Sequence, residues 1–151
     1  MPSVYRDDPY LAMNFLVGIG GVADDPSAVR GAFSEVSGLG VEIEPVEYRT
    51  GAEDVTVRKL PGRVKFTNIT LKRGIIGDHA LWDWLKAAMN GKVVRTDLSI
   101  ILVNEAREPV MRWRARRAWP TRWGGPDLDA NRNEVAIETL EVCHEGLQLE
   151  T

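Results

Sequence analysis

Apolar residues recur at every second position over most of this chain, and that periodicity limits the folds open to it. Period two belongs to β-strands with one buried face, whereas period 3.6 belongs to amphipathic helices. Met13, Phe15, Val17 and Ile19 share one side of a first predicted strand. Val41 and Ile43 alternate with Glu42 and Glu44, and the phase then flips at Pro45, leaving Val46 and Tyr48 on the apolar side. A flip at a proline predicts a bulge or bend on an edge-type strand. The same kind of slip falls between the pair Val64/Phe66 and the pair Ile69/Leu71. Ile100, Ile101, Leu102 and Val103 are apolar on both faces, as in a strand covered from both sides. Met111, Trp113, Ala115 and Trp119 oppose Arg112, Arg114 and Arg116, and the last predicted strand covers 135–142.

Only residues 78–90 read as helix. Asp78 is placed as the N-cap, Leu81, Leu85, Ala88 and Met89 share one face, and Asn90-Gly91 forms the C-cap. Trp82 adjoins the Leu81–Leu85 stripe and is expected to be buried, which leaves Trp84, about 200° round the axis, for a neighbouring molecule. No internal repeat or domain boundary interrupts the 151 residues. Residues 1–151 are therefore expected to form a single mainly β domain: an antiparallel β-sandwich with barrel-like curl and one flanking α-helix.

Function classes fall away in turn. Nineteen basic side chains against 22 acidic ones give a net charge of −3, so no overall field draws the chain to nucleic acid or anionic lipid. The single cysteine, Cys143, excludes a disulfide scaffold. The first nine residues lack the basic start and apolar run of a signal peptide, and the apolar stretch from Leu11 is broken by Asn14, Gly18, Gly20 and Gly21. Folding in the cytoplasm without membrane insertion is the expectation. Gly18, Gly20 and Ala23 have the spacing of a dinucleotide-binding turn, but Pro26, Gly31, Gly38 and Gly40 break the helix such a turn requires. Cys143 and His144 are adjacent in a strand and so point to opposite faces, which prevents a nucleophile–base dyad. His79 has no ligand partner at useful spacing. No catalytic residue, cofactor or metal site is expected.

Two segments keep an unexplained charge or length. Residues 107–123 hold six arginines and one glutamate, for a net +5, interleaved with Trp113, Trp119 and Trp123. Arginine with aromatics suits single-stranded nucleic acid. Alternation, however, sends Trp113 and Arg114 to opposite faces, and residues 134–150 carry five glutamates with no Lys or Arg. Cross-strand pairing of Arg112, Arg114 and Arg116 with Glu134, Glu138 and Glu141, within or between subunits, is the favoured reading. The second segment, 49–63, is long for a connection between strands. It carries Arg49, Glu53, Asp54, Val55, Val57, Arg58, Lys59 and Leu60, ends in Pro61-Gly62, and reads either as an extended loop that docks on another chain or as a surface hairpin.

The stretch RTGAEDVTVRKLPGRVKFTNITLKRG, residues 49–74, resembles the inner-tube proteins of contractile phage tails and of phage-tail-like extracellular injection systems. Further pieces resemble the same family in the same order. They are Asp8-Pro9-Tyr10 with Asn14-Phe15, the run FSEVSGL at 33–39, Leu81-Trp82-Asp83-Trp84, Ala118-Trp119-Pro120, the run EVAIE at 134–138, and His144-Glu145-Gly146-Leu147. The resemblance implies a structural, non-catalytic subunit, assembled in the bacterial cytoplasm. Its partners would be copies of itself in hexameric rings stacked into a hollow tube, a contractile sheath protein, baseplate and spike-hub proteins and a tube cap, with cargo or DNA passing through the lumen. Segment 49–63 and Trp84 become candidates for contacts between subunits or rings. Two alternatives stay open: a tube-initiator paralogue at the baseplate, and a free-standing nucleic-acid-binding module using the Arg–Trp face.

Overall fold

A computed structural model describes residues 6–20, 33–49, 51, 57–77 and 79–150. Nine strands and one helix follow in the order β1 (Phe15–Ile19), β2 (Phe33–Ser37), β3 (Val41–Tyr48), β4 (Arg58–Phe66), β5 (Ile69–Gly74), α1 (Ala80–Met89), β6 (Thr96–Val103), β7 (Pro109–Gly124), β8 (Ile137–Cys143) and β9 (Gly146–Glu150). All pairings are antiparallel. The main sheet runs β1-β6-β7-β8-β5-β2, and β9 also pairs β7. The predicted class holds: a mainly antiparallel β fold with a single helix among the described residues.

The 16-residue β7 folds this sheet over. Its first part pairs β6 and β9, from Pro109 to Ala118, and its second part pairs β8, from Trp119 to Gly124. The corner is a bulge: Thr96 faces Ala118 and Leu98 faces Ala115, so β7 carries one residue more than β6 between the two pairs. Arg117 takes a left-handed φ of 51° there, and its N–H donates to Asp97 Oδ1 at 3.1 Å. Two layers result. Val17, Ile19, Leu98, Ile100 and Ala115 from one layer pack against Phe33, Ile69, Leu71, Leu140 and Val142 from the other, with Leu81 of the helix joining them. Ile100 and Ile101 are both buried, as expected for a strand covered on both faces.

The helix starts two residues later than expected. Its first-turn cap position is His79, with no side-chain capping bond, and Asp78 lies outside the described residues. Its end matches expectation, since Gly91 has φ 85°, a left-handed position that glycine adopts at low cost. The burial order of the tryptophans is reversed: Trp84 packs against the core and its Nε1 donates to Val94 O at 2.8 Å, while Trp82 is 39% exposed. The helical wheel supplies the reason. Trp84 lies roughly 60° from Leu81 on the side shared with Ala88, whereas Trp82 lies roughly 100° away. Trp82 instead meets Trp123 edge-on, with ring centroids 5.0 Å apart.

Two other expectations change. Met13 precedes the first strand and is exposed. A ninth strand, Gly146–Glu150, follows the strand predicted to be last, on the short alternation of Leu147 and Leu149 with Gln148 and Glu150.

Candidate assembly surfaces

β3 and β4 form a sheet of their own, pairing only with each other among the described strands. Segment 49–63 is therefore not one extended loop. Arg58, Lys59 and Leu60 belong to β4, and the chain reverses between Tyr48 and Arg58. Pro61-Gly62, which reads as a turn, instead sits inside the ribbon. Ile43 faces Val64 and Pro45 faces Pro61, so two residues of β4 stand opposite Glu44. The predicted break at Pro45 is this bulge. Gly62 is needed in it, because a Cβ there would come within 2.6 Å of the Glu44 carbonyl oxygen and 2.8 Å of Val46 Cγ2.

Apolar residues face apolar residues across the ribbon: Val41 with Phe66, Ile43 with Val64, Val46 with Leu60. Acids on β3 face bases on β4, Glu42 with Lys65 and Glu47 with Lys59, and Lys65 also forms an ion pair with Glu44. Ile43 and Val46 are three residues apart, so the apolar side changes face at the bulge. Val41, Ile43, Val46, Tyr48, Leu60 and Val64 are each about half exposed, from 48% to 58%. An isolated two-stranded hairpin is marginal in water, and apolar side chains left this open on both of its faces call for partner surfaces.

The base of the hairpin is anchored firmly. Thr67 Oγ1 donates to Gly38 O at 2.6 Å, His144 Nε2 lies 3.0 Å from Thr67 O, and the His144 ring packs against Phe66 at 5.6 Å. Gly38 has φ 91°, and a Cβ there would run into the Asn68 carbonyl oxygen. The supposed slip between Val64/Phe66 and Ile69/Leu71 is this junction, where the chain leaves the hairpin and enters the main sheet at Ile69. His144 thus serves the hairpin base. The Cys143 thiol is pushed up by burial, the opposite of an activated nucleophile. Among the described residues no group of three or more His, Cys, Asp or Glu could hold a metal ion.

Of the remaining candidates in the segment, Arg49 is exposed just past β3 and Val57 is partly buried just before β4. Glu53, Asp54 and Val55 lie outside the described residues.

The arginines of β7 do pair with carboxylates, though not with those expected. Arg114 Nε lies 2.7 Å from Glu150 Oε1, off the line of a hydrogen bond, and 4.0 Å from Asp97 Oδ2. Arg112 Nη1 lies 3.6 Å from Glu150 Oε2. Glu150 is reached because β9 runs beside β7, with Arg112 facing Glu150, and Asp97 because β6 pairs with β7 as well. Arg116 is exposed opposite Gly146. Glu141 accepts from Asn68 Nδ2 at 3.0 Å, and Glu134 lies 3.8 Å from Arg132. Glu138 is buried, facing Arg73 across β5 and β8, and forms an ion pair with it. Trp123 Nε1 donates to Glu138 Oε2 at 3.2 Å, and the Arg73 guanidinium lies 5.8 Å from the Phe33 ring. This polar cluster is a core element, legible afterwards in Arg73 standing at the inward spacing of Ile69 and Leu71.

The fold has known relatives. A chain in the cryo-EM structure of the anti-feeding prophage baseplate, 6-fold symmetrised, superposes with a TM-score of 0.84 at 29% identity, covering 96% of this chain and 97% of that one. A chain in the extended sheath-tube complex of the extracellular contractile injection system PVC gives 0.82 at 30% identity, covering 94% and 91%. Hcp1 from Flavobacterium johnsoniae, at 12% identity with a TM-score of 0.56 over 90% and 94%, shares the fold alone. No curated protein is matched by the sequence. Residues 11–148 match the family described as T4-like virus tail tube protein gp19, and with nearly its whole length inside that match the chain belongs to the tail tube family.

Proposed function

We propose that this chain is the inner-tube subunit of a phage-tail-like contractile injection particle. Copies close laterally into six-membered rings, and the rings stack into a hollow tube that a sheath encloses between a baseplate and a terminating cap. Related chains occur in structures of a sheath-tube complex, a 6-fold symmetrised baseplate and a tube-terminating cap, and these support the reading. The observation that carries it in this molecule is the β3–β4 ribbon, whose half-exposed apolar pairs meet no partner strand beyond the ribbon itself among the described strands. Ring closure would also pair the edges of β1 and β2, which end the main sheet among the described strands.

The role is structural rather than enzymatic. His144 holds the hairpin base, and burial pushes the Cys143 thiol up, away from an activated nucleophile. Arg112 and Arg114 of the Arg–Trp face already share Glu150, which favours assembly over nucleic-acid binding. No described helix is long and apolar enough to cross a membrane.

Electron microscopy of the purified protein, alone and in particles, tests the proposal. Six-fold rings or stacked tubes are expected. A protein that stays monomeric at high concentration and never enters particles contradicts it.

A further inference from the structure

β7 turns Trp113 and Ala115 toward the core and carries Arg112, Arg114 and Arg116 on its other face. The ladders set Ile101 and Glu150 on either side of Arg112, and Ser99 and Gln148 on either side of Arg114. Leu16 of β1 stands next to Ile101. Arg112 is as enclosed as a core residue, with its side chain 9% exposed. A guanidinium taken out of water is costly unless it is paired and hydrogen-bonded. Arg73, the other buried arginine among the described residues, has such a partner in Glu138. Arg112 does not. Its one ion-pair contact among the described residues, Nη1 to Glu150 Oε2, spans 3.6 Å, too far for a hydrogen bond, and Glu150 lies closer to Arg114. The Nε atoms of Arg112 and Arg114 are both buried, and neither meets an acceptor among the described residues. Asp97, 4.0 Å from Arg114, is the other acid that these strands place on this face.

Three arginines thus stand against two carboxylates, and one positive charge is unmatched beside the apolar Leu16 and Ile101. Opposite Arg116 stands Gly146, which has no side chain, so the row is open at that end. We propose that this row is a binding site for one carboxylate from another molecule, held by the forks of Arg112 and Arg114. A planar carboxylate fits a guanidinium fork with two parallel hydrogen bonds. Its single charge equals the deficit, whereas a phosphate group, with about −1.5 to −2, exceeds it next to Glu150 and Asp97. The carboxylate comes either from a small free anion or from an acidic side chain of a neighbouring copy.

Arginine Nε–H signals, followed by NMR on the unassembled protein, test this while acetate replaces chloride at constant ionic strength and neutral pH. The signals of Arg112 and Arg114 should move to saturation with acetate, and phosphate should need a higher concentration for the same effect. Signals that respond no more to acetate than to chloride overturn the site. Phosphate that acts at the same concentration as acetate, or a lower one, overturns the carboxylate assignment. In assembled tubes, signals already at their acetate-bound positions assign the carboxylate to a neighbouring copy, and signals that still need acetate assign it to a free anion. The first arm needs no tubes, so it decides the site even where the tube reading fails. Arg112→Met removes the unmatched charge while Glu150 keeps Arg114. It should abolish the acetate response and leave the melting temperature at or above that of wild type. A fall as large as that of Arg73→Met would mean that Arg112 is fully paired within its own chain, and would overturn the proposal.

Discussion

Replacing Arg73 with methionine tests the reading of the core most sharply. Arg73 is 1% exposed in its side chain and faces Glu138, itself 7% exposed, across the β5–β8 ladder. Methionine keeps the aliphatic volume and removes the charge, so Glu138 stays buried with the Trp123 N–H but without the guanidinium. Breaking a buried pair from one side costs roughly 3–5 kcal/mol, because the remaining charge keeps its desolvation penalty. A domain of this size has roughly 5–15 kcal/mol in total. At about 2–4 °C per kcal/mol the melting temperature should fall by roughly 6–20 °C. Calorimetry on the unassembled protein measures this. The double variant Arg73→Met/Glu138→Leu removes both charges and should recover most of the loss. A single variant within 1 kcal/mol of wild type, or a double variant worse than the single, would refute the reasoning.

Other consequences are as concrete. Trp84→Ala should cost about 3–5 kcal/mol, as a core truncation does, and Trp82→Ala clearly less, both read from chemical denaturation. Gly62→Val should leave the sandwich folded by circular dichroism yet prevent assembly, because its Cβ clashes with the Glu44 carbonyl at the bulge. At the other end, Arg6 donates to both carboxylate oxygens of Glu105, at 2.9 and 3.1 Å, and that hydrogen bonding holds the Glu105 carboxyl below its ordinary range. A lowered folded value means that the clip is fully formed above the ordinary carboxylate range and is lost as pH falls through the lowered one. The Glu105 side-chain signal in an NMR titration should therefore change with a midpoint below the ordinary carboxylate range, and Arg6→Ala should return that midpoint to the ordinary range.

The sandwich was legible in the sequence because its strands are buried on one side. In β5 and β8, Ile69, Leu71, Leu140 and Val142 alternate with the partly exposed polar residues Thr70, Lys72, Thr139 and Glu141, and hydrophobic burial enforces that phase. The break at Pro45 was equally readable, since proline cannot continue a ladder unperturbed. What lay hidden was pairing at a distance. Pro61-Gly62 carries a strong local turn signal, yet opposite Glu44 and Pro45 it becomes the extra length of a bulge, and the supposed loop becomes a strand. Glu150 could not be named as the partner of Arg112 and Arg114 until β9 was laid beside β7. Arg73 and Glu138 sit 65 residues apart, and only the register makes them neighbours.

Hydrogen–deuterium exchange on the unassembled and assembled protein tests the assembly role of the hairpin most directly. Amides of 41–48 and 58–66 exchange through a ribbon that pairs only with itself among the described strands, so they should exchange fast before assembly. Buried core amides such as Leu71 and Leu140 should already be protected. Assembly should slow the hairpin amides by a hundredfold or more and leave the core amides unchanged. Hairpin amides that exchange equally fast in intact tubes would contradict the account.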